Sequence, residues 1–205
     1  MKKKLTLLLL TSLLLTACAP VHLVREVSSR KTESGKMVKK SVKKKKHSDT
    51  TTTTEEEKEV VTEAYTYTYK SKSDMPDQRH THTLTYQGDK FLTIKMEVIQ
   101  PYDEQTTATL KNHSLEEVRA LLKKQMDVNP DIQKLKTVRG VALDIDVTEN
   151  YEAKVTFTFD IPNIDRDALS AVGSSFGDLS RMTRLTPKLY IAALKREGAT
   201  KIIQQ

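Results

Sequence analysis

His80-Thr81-His82-Thr83-Leu84-Thr85-Tyr86-Gln87-Gly88-Asp89-Lys90-Phe91-Leu92-Thr93-Ile94-Lys95-Met96-Glu97-Val98 is the stretch that decides the fold. His80, His82, Leu84 and Tyr86 share one parity, and Thr81, Thr83 and Thr85 share the other. Successive strand residues point to opposite faces, so this period of two describes a strand with one face toward a core. Gln87-Gly88-Asp89 carries turn chemistry, and Leu92, Ile94, Met96 and Val98 resume the alternation beyond it. The whole predicts a β-hairpin.

Working outward, the same period recurs on both sides. Tyr65, Tyr67 and Tyr69 alternate with Thr66 and Thr68, and turn residues from Ser73 to Asp77 separate them from the hairpin. Downstream, Val141, Leu143, Ile145 and Val147 alternate with Asp144 and Asp146. Glu149-Asn150 marks a turn, and Val155, Phe157 and Phe159 follow, alternating with Thr156 and Thr158.

Helical spacing appears between and after these hairpins. Ser114 and Glu117 have the S-x-x-E spacing of a capping box, and Leu115, Val118, Leu121, Leu122 and Met126 form an apolar stripe that Asn129-Pro130 ends. Asp165 to Val172 reads as a short helix. Thr186 can cap a last helix with Pro187 at its first position, Lys195 and Arg196 in its last turn and Gly198 just past its end. Strands in hairpin groups, with helices between and after, predict an α+β fold: an antiparallel sheet built from hairpins with two to three helices packed on one face.

The segment ahead of this domain is of another kind. Met1-Lys2-Lys3-Lys4 precedes an apolar run from Leu5 to Ala17, the layout of a secretory signal. Thirteen helical residues rise only about 20 Å, short of the ~30 Å hydrocarbon core of a bilayer. Leu15-Thr16-Ala17-Cys18 resembles the lipobox of bacterial lipoproteins, and the resemblance implies cleavage before Cys18 and a diacylglyceryl group on its thiol. Cys18 is the single cysteine of the 205 residues, so no intramolecular disulfide competes for it. Two acyl chains at about 0.8 kcal/mol per buried CH₂ make a stable anchor.

The formal charge of +7 is unevenly placed. Three lysines belong to the leader, residues 19–62 hold 11 Lys and Arg against 7 Asp and Glu, and residues 63–205 hold 20 against 20. The basic block is Lys36, Lys39, Lys40, Lys43, Lys44, Lys45 and Lys46, followed by five threonines and an acidic run. With no aromatic residue between Cys18 and Tyr65, residues 18–62 read as a disordered tether whose ends lie roughly 35 Å apart. The expected organisation is a signal peptide over 1–17, the lipidated Cys18 with its linker over 18–62, and one α+β domain over 63–205.

The Tyr86-Gln87-Gly88-Asp89-Lys90 hairpin, Phe157-Thr158-Phe159-Asp160 leading into Ile164 to Leu169, and the last helix running to Gly198 together resemble the YehR-like lipoproteins. The domain of that small bacterial family has no established function. The resemblance implies a fold and a membrane anchor, and it brings no catalytic residue. The long Lys/Thr/Glu linker departs from it.

Candidate chemistry is sparse. His80 and His82 on one strand face can offer two imidazoles to a metal, with His113 or a carboxylate as a third ligand, but their phase with Leu84 and Tyr86 places them at the rim of the core. Asp144 and Asp146 can act as paired carboxylates in glycoside hydrolysis or hold calcium, although their strand needs a solvated polar side. No phosphate-binding loop, dinucleotide fingerprint, nucleophile elbow or H-E-x-x-H motif occurs, and no cofactor is expected. Thr66, Thr68, Thr81, Thr83, Thr85, Thr156 and Thr158 are expected to line the sheet face opposite the helices.

The reading that follows is a non-enzymatic envelope lipoprotein on the extracytoplasmic face of a cell membrane. Cys18 meets the bilayer, the lysine block meets an anionic envelope polymer or headgroup layer, and the domain binds a partner or polymer. Nucleic acid is not expected as a partner, since no aromatic residues interleave the lysines. The alternative is a small-ligand or metal carrier using His80 and His82.

Overall fold

The computed structural model describes residues 58–71, 75–173 and 177–202. The leader, Cys18, the lysine block and Ser73 lie outside the described residues. Six strands run β1 Val60–Tyr69, β2 Gln78–Gln87, β3 Lys90–Gln100, β4 Val141–Val147, β5 Ala153–Asp160 and β6 Thr200–Ile202. They form one antiparallel sheet in the order β4-β5-β3-β2-β1-β6. The described helices are α1 Glu104–Leu110, α2 Leu115–Asp127, α3 Pro130–Thr137, α4 Arg166–Ala171, α5 Gly177–Met182 and α6 Pro187–Arg196. The fold is α+β, with six helices where the periodicity predicts two to three. Among the described residues no helix is long and apolar enough to cross a membrane.

Register sorts the side chains into two faces. Tyr65, His82, Met96, Phe157 and Leu143 are partners across five strands, as are Tyr67, His80, Val98, Val155 and Ile145. These rows meet Leu122 of α2, Leu135 of α3, Leu169 of α4 and Tyr190 of α6 in one buried cluster. On the other face Thr66, Thr81, Glu97, Thr156 and Asp144 align, and Lys95 lies between Thr83 and Thr158. The expected threonine face is therefore present. It is tied together by a Thr62–Thr85 hydroxyl pair at 3.1 Å, by Thr66 donating to the His80 carbonyl at 3.0 Å, and by a Lys154–Glu97 ion pair at 3.0 Å.

The hairpin departs from simple alternation at one place. The β2–β3 register shifts between Thr85 and Tyr86, so that Thr85 faces Thr93 while Tyr86 faces Phe91. Leu92 is the extra residue of this bulge, and Phe91, not Leu92, enters the core. Gly88 turns the chain with φ +62, a conformation that a two-residue primed turn requires at its first position.

Helix boundaries follow local chemistry. Ser114 accepts from the Glu117 amide while the Glu117 carboxylate accepts from the Ser114 amide, completing the expected box. Val118, Leu122 and Met126 are buried at i, i+4 and i+8, whereas Leu121 is exposed. Asn129-Pro130 is a start as well as a stop: the Asn129 side chain accepts from the amides of Asp131 and Ile132, and Pro130 opens α3. Asp165 caps α4 and Thr186 caps α6, with Pro187 at its first turn as expected. Val60, Val61 and Thr62, grouped with the tether by composition, pair with Gln87, Tyr86 and Thr85 as the start of β1.

Candidate functional site

The two histidines of β2 sit inside the core rather than at its rim. His82 is fully buried and His80 nearly so. A directed chain of hydrogen bonds fixes the state of His80. Gln100 Nε2 donates to the carbonyls of Pro76 at 3.2 Å and Pro101 at 2.8 Å, which orients its amide. Its Oε1 then accepts from Gln78 Nε2 at 2.8 Å, leaving Gln78 Oε1 facing His80 Nε2 at 2.9 Å. That oxygen can only accept, so Nε2 carries the proton and Nδ1 accepts from the Tyr67 hydroxyl at 3.4 Å.

His82 is less completely served. Its Nδ1 lies 2.8 Å from the Tyr190 hydroxyl, and its Nε2 is buried without a partner among the described residues. If Tyr190 donates, one ring N–H is left unmet. If the ring donates instead, both the Tyr190 proton and the Nε2 lone pair are unmet, so the first arrangement is preferred. Tyr67 stacks on His80 with centroids 5.0 Å apart, and the two imidazoles are 6.4 Å apart.

Burial sets the protonation state of both rings. Loss of solvent lowers His80 to about 4, and burial with the neighbouring His80 lowers His82 to about 3. Burial likewise raises the Tyr67 and Tyr190 hydroxyls, so the cluster is neutral at physiological pH. Among the described residues no group of three His, Cys, Asp or Glu side chains is gathered that could hold a metal. His113 stands ahead of α2, where its carbonyl accepts from the Tyr151 hydroxyl of the β4–β5 loop.

Asp144 and Asp146 share the outer face at the β4 edge. Asp144 is exposed. Asp146 accepts from Arg119 Nε of α2 and from the Val147 amide, and these bonds hold its carboxyl below the usual range. An ionised carboxylate has no proton to donate, and this one is already engaged by Arg119.

A third cluster has no counterpart in the sequence motifs. Arg139 precedes β4, Arg166 opens α4 and Arg184 follows α5, and the three line an open cleft of about 640 Å³ with Ile164, Asp165 and Asp167. Arg166 and Arg184 also border an adjoining cavity of about 460 Å³ beside Lys90, Phe91 and Leu92. Gly140 makes this convergence possible. With φ +77 it brings the 139–140 turn so close to the 163–165 segment that a Cβ would stand 2.6 Å from the Ile164 Cα. The Asp165 amide bonds to the Arg139 carbonyl at 3.0 Å and the Asp160 amide to the Gly140 carbonyl at 2.8 Å, so the turn is stitched beside α4. Nothing in the spacing of three arginines across 46 residues signals this.

The cleft lies at the hairpin end of the sheet. Val60 pairs with Gln87 at that end, and Gln87 Nε2 donates to the Lys58 carbonyl at 2.8 Å. The chain therefore enters the domain at the end where Asp89, Lys90 and the arginine cavities lie.

The YehR-like family model matches residues 60–194, from the first residue of β1 into α6. A solved structure of a protein from Streptococcus pneumoniae TIGR4 is similar in fold, with a TM-score of 0.56 at 19% identity, covering 83% of this chain and 97% of that one. The Escherichia coli YehR protein gives a TM-score of 0.45 at 18% identity, covering 71% of this chain and 94% of that one. None of the curated proteins matches the chain.

Proposed function

This chain belongs to the YehR-like family, whose domain has no established activity, and from that premise we propose that it is a non-enzymatic binding module of the bacterial envelope, held at a membrane by lipid on Cys18. One observation carries the choice of binding over catalysis: in each polar pair that the sequence offers for chemistry, one member is taken up by the fold. His80 is hydrogen-bonded through both nitrogens inside the core, and Asp146 is ion-paired to Arg119. What remains to meet another molecule is surface: the threonine face and the arginine-lined end.

The anchor supports the same reading from the sequence side. Met1-Lys2-Lys3-Lys4, the apolar run and Leu15-Thr16-Ala17-Cys18 have the composition of a lipoprotein leader, and the lysine block would draw the following segment toward an anionic surface. The test is expression of the full chain and of Cys18→Ala in a bacterial host, followed by fractionation and intact mass. The wild type is expected in the membrane pellet with the added mass of acyl chains, and C18A without that mass. A wild-type chain of unmodified mass, or a variant with unchanged membrane retention and mass, overturns the anchor.

A further inference from the structure

We infer that the cleft between Arg139, Arg166 and Arg184 binds a phosphate-bearing anion. The inference rests on the binding reading above and names the chemistry of what is bound.

The cations are uncommitted by the protein itself. Among the described residues neither Arg139, Arg166 nor Arg184 has an ion-pair partner, whereas Arg79 and Arg119 elsewhere in the fold are each paired with a carboxylate. Arg166 Nε is buried with no acceptor, an unmet donor on a guanidinium whose residue borders both cavities. Buried donors are nearly always satisfied, so Arg166 keeps hydrogen-bonding capacity that the described residues leave unused.

Three arginines against Asp165 and Asp167 leave the cleft one positive charge in excess. Asp165 directs its side chain to the Ala168 amide at 2.9 Å, capping α4, and Asp167 is exposed. Guanidinium groups present planar forks that match phosphate oxygens two at a time. A single carboxylate is satisfied by one such fork. Three arginines lining one cleft suit a group with more oxygens and more charge.

The volume speaks to the rest of the ligand. A cleft of about 640 Å³ that shares Arg166 and Arg184 with one of about 460 Å³ is larger than a phosphate alone. The second cavity is bordered by Phe91, Leu92, Pro162 and Leu185, so it offers apolar contact to the substituent of a phosphate ester. It lies at the end of the sheet where Lys58 meets Gln87 ahead of β1.

The ligand can be a lipid headgroup or a soluble phosphate ester, and the experiment separates them. The full chain, in neutral detergent, is titrated with sn-glycerol 3-phosphate while the Arg Nε–H signals are followed by NMR. In a separate arm without detergent, the Cys18→Ala chain, which carries no acyl anchor, is incubated with vesicles of phosphatidylcholine alone or mixed with phosphatidylglycerol, and sedimentation is measured. Arg166→Gln with Arg184→Gln is compared with a variant carrying Gln at Lys36, Lys39, Lys40, Lys43, Lys44, Lys45 and Lys46, and amide dispersion checks that each folds.

A saturable shift of Arg Nε–H signals with glycerol phosphate, weakened about tenfold or more by the double arginine variant, supports a soluble ester in the cleft. Binding confined to the phosphatidylglycerol vesicles with the same arginine dependence supports a headgroup. Binding that the lysine variant abolishes and the arginine variant leaves intact overturns the proposal, as does no saturable binding in either arm. A chain that binds glycerol phosphate in the cleft but lacks lipid on Cys18 would leave this inference standing and remove the anchor, so the two failures are distinct.

Discussion

The Tyr190 hydroxyl and His82 Nδ1 stand 2.8 Å apart, joining the last helix to the second strand across 108 residues of sequence. Tyr190→Phe keeps the ring and nearly all its volume, so no cavity follows. It strips His82 of its hydrogen-bond partner in a site closed to water. The expected cost is about 1–3 kcal/mol, read as a lower urea midpoint. Tyr67→Phe removes a longer bond of 3.4 Å and should cost less. Equal midpoints for wild type and Y190F would show that the bond contributes nothing.

The same pair makes stability depend on pH. Both histidines have lower pKa values folded than unfolded, about 4 for His80 and about 3 for His82 against an ordinary 6.5. The unfolded chain therefore takes up protons first as pH falls. Their contribution is complete above about pH 6.5 and is lost on the way down to about pH 3, with roughly 4 kcal/mol gone by pH 5. Urea unfolding at pH 7.5 and pH 5 checks this, and a midpoint unchanged between them would contradict it.

Gly140 offers a third test. Alanine there must adopt φ +77 and place its Cβ 2.6 Å from the Ile164 Cα, a backbone atom that cannot swing aside. The left-handed conformation alone costs about 1–2 kcal/mol, and the clash adds to it. Gly140→Ala is expected to lower the thermal midpoint and to perturb the amide signals of residues 163–166. Gly198, at φ +84 but with no neighbour within 4 Å, should tolerate alanine better.

Ser114→Ala probes the helix that the sequence delimits best. It removes the acceptor for the Glu117 amide and should destabilise the fold by about 1 kcal/mol. Threonine at the same place should restore most of the loss. Chemical unfolding of the three proteins side by side gives the answer.

The strands were legible because each presents one face to the core, and the caps of α2 and α6 because Ser114, Glu117, Thr186 and Pro187 act within one turn of chain. Phe91 was missed because the bulge at Leu92 reverses parity, a tertiary adjustment that alternation cannot encode. The first helix, Glu-Gln-Thr-Thr-Ala-Thr-Leu, has threonines that favour strands and only Leu110 buried, so it carries no apolar stripe. Asn129-Pro130 reads as an ending, and its second role as a cap is visible only once α3 follows. The histidines were legible as a pair but not as a buried one, since their burial depends on Tyr190 arriving from far downstream. The arginine cleft joins three separate segments, and only folding brings them together.

The short strand β6 lies against Ala64, Tyr65 and Thr66 of β1, and Lys201 bonds Glu63 at 2.5 Å. The first strand of the domain thus waits for the last to cover part of its outer edge. During synthesis, when chains emerge from the N-terminus onward, β1, β2 and β3 can pair early. Tyr190 and Lys201 follow only after α5 has been made. Until then His82 lacks its partner and β1 keeps an open edge, so a chain truncated after α5 should be a target for proteases and for edge-to-edge association. The segment from α6 to β6 is the clasp of this domain, for it gives His82 its partner and closes part of the β1 edge.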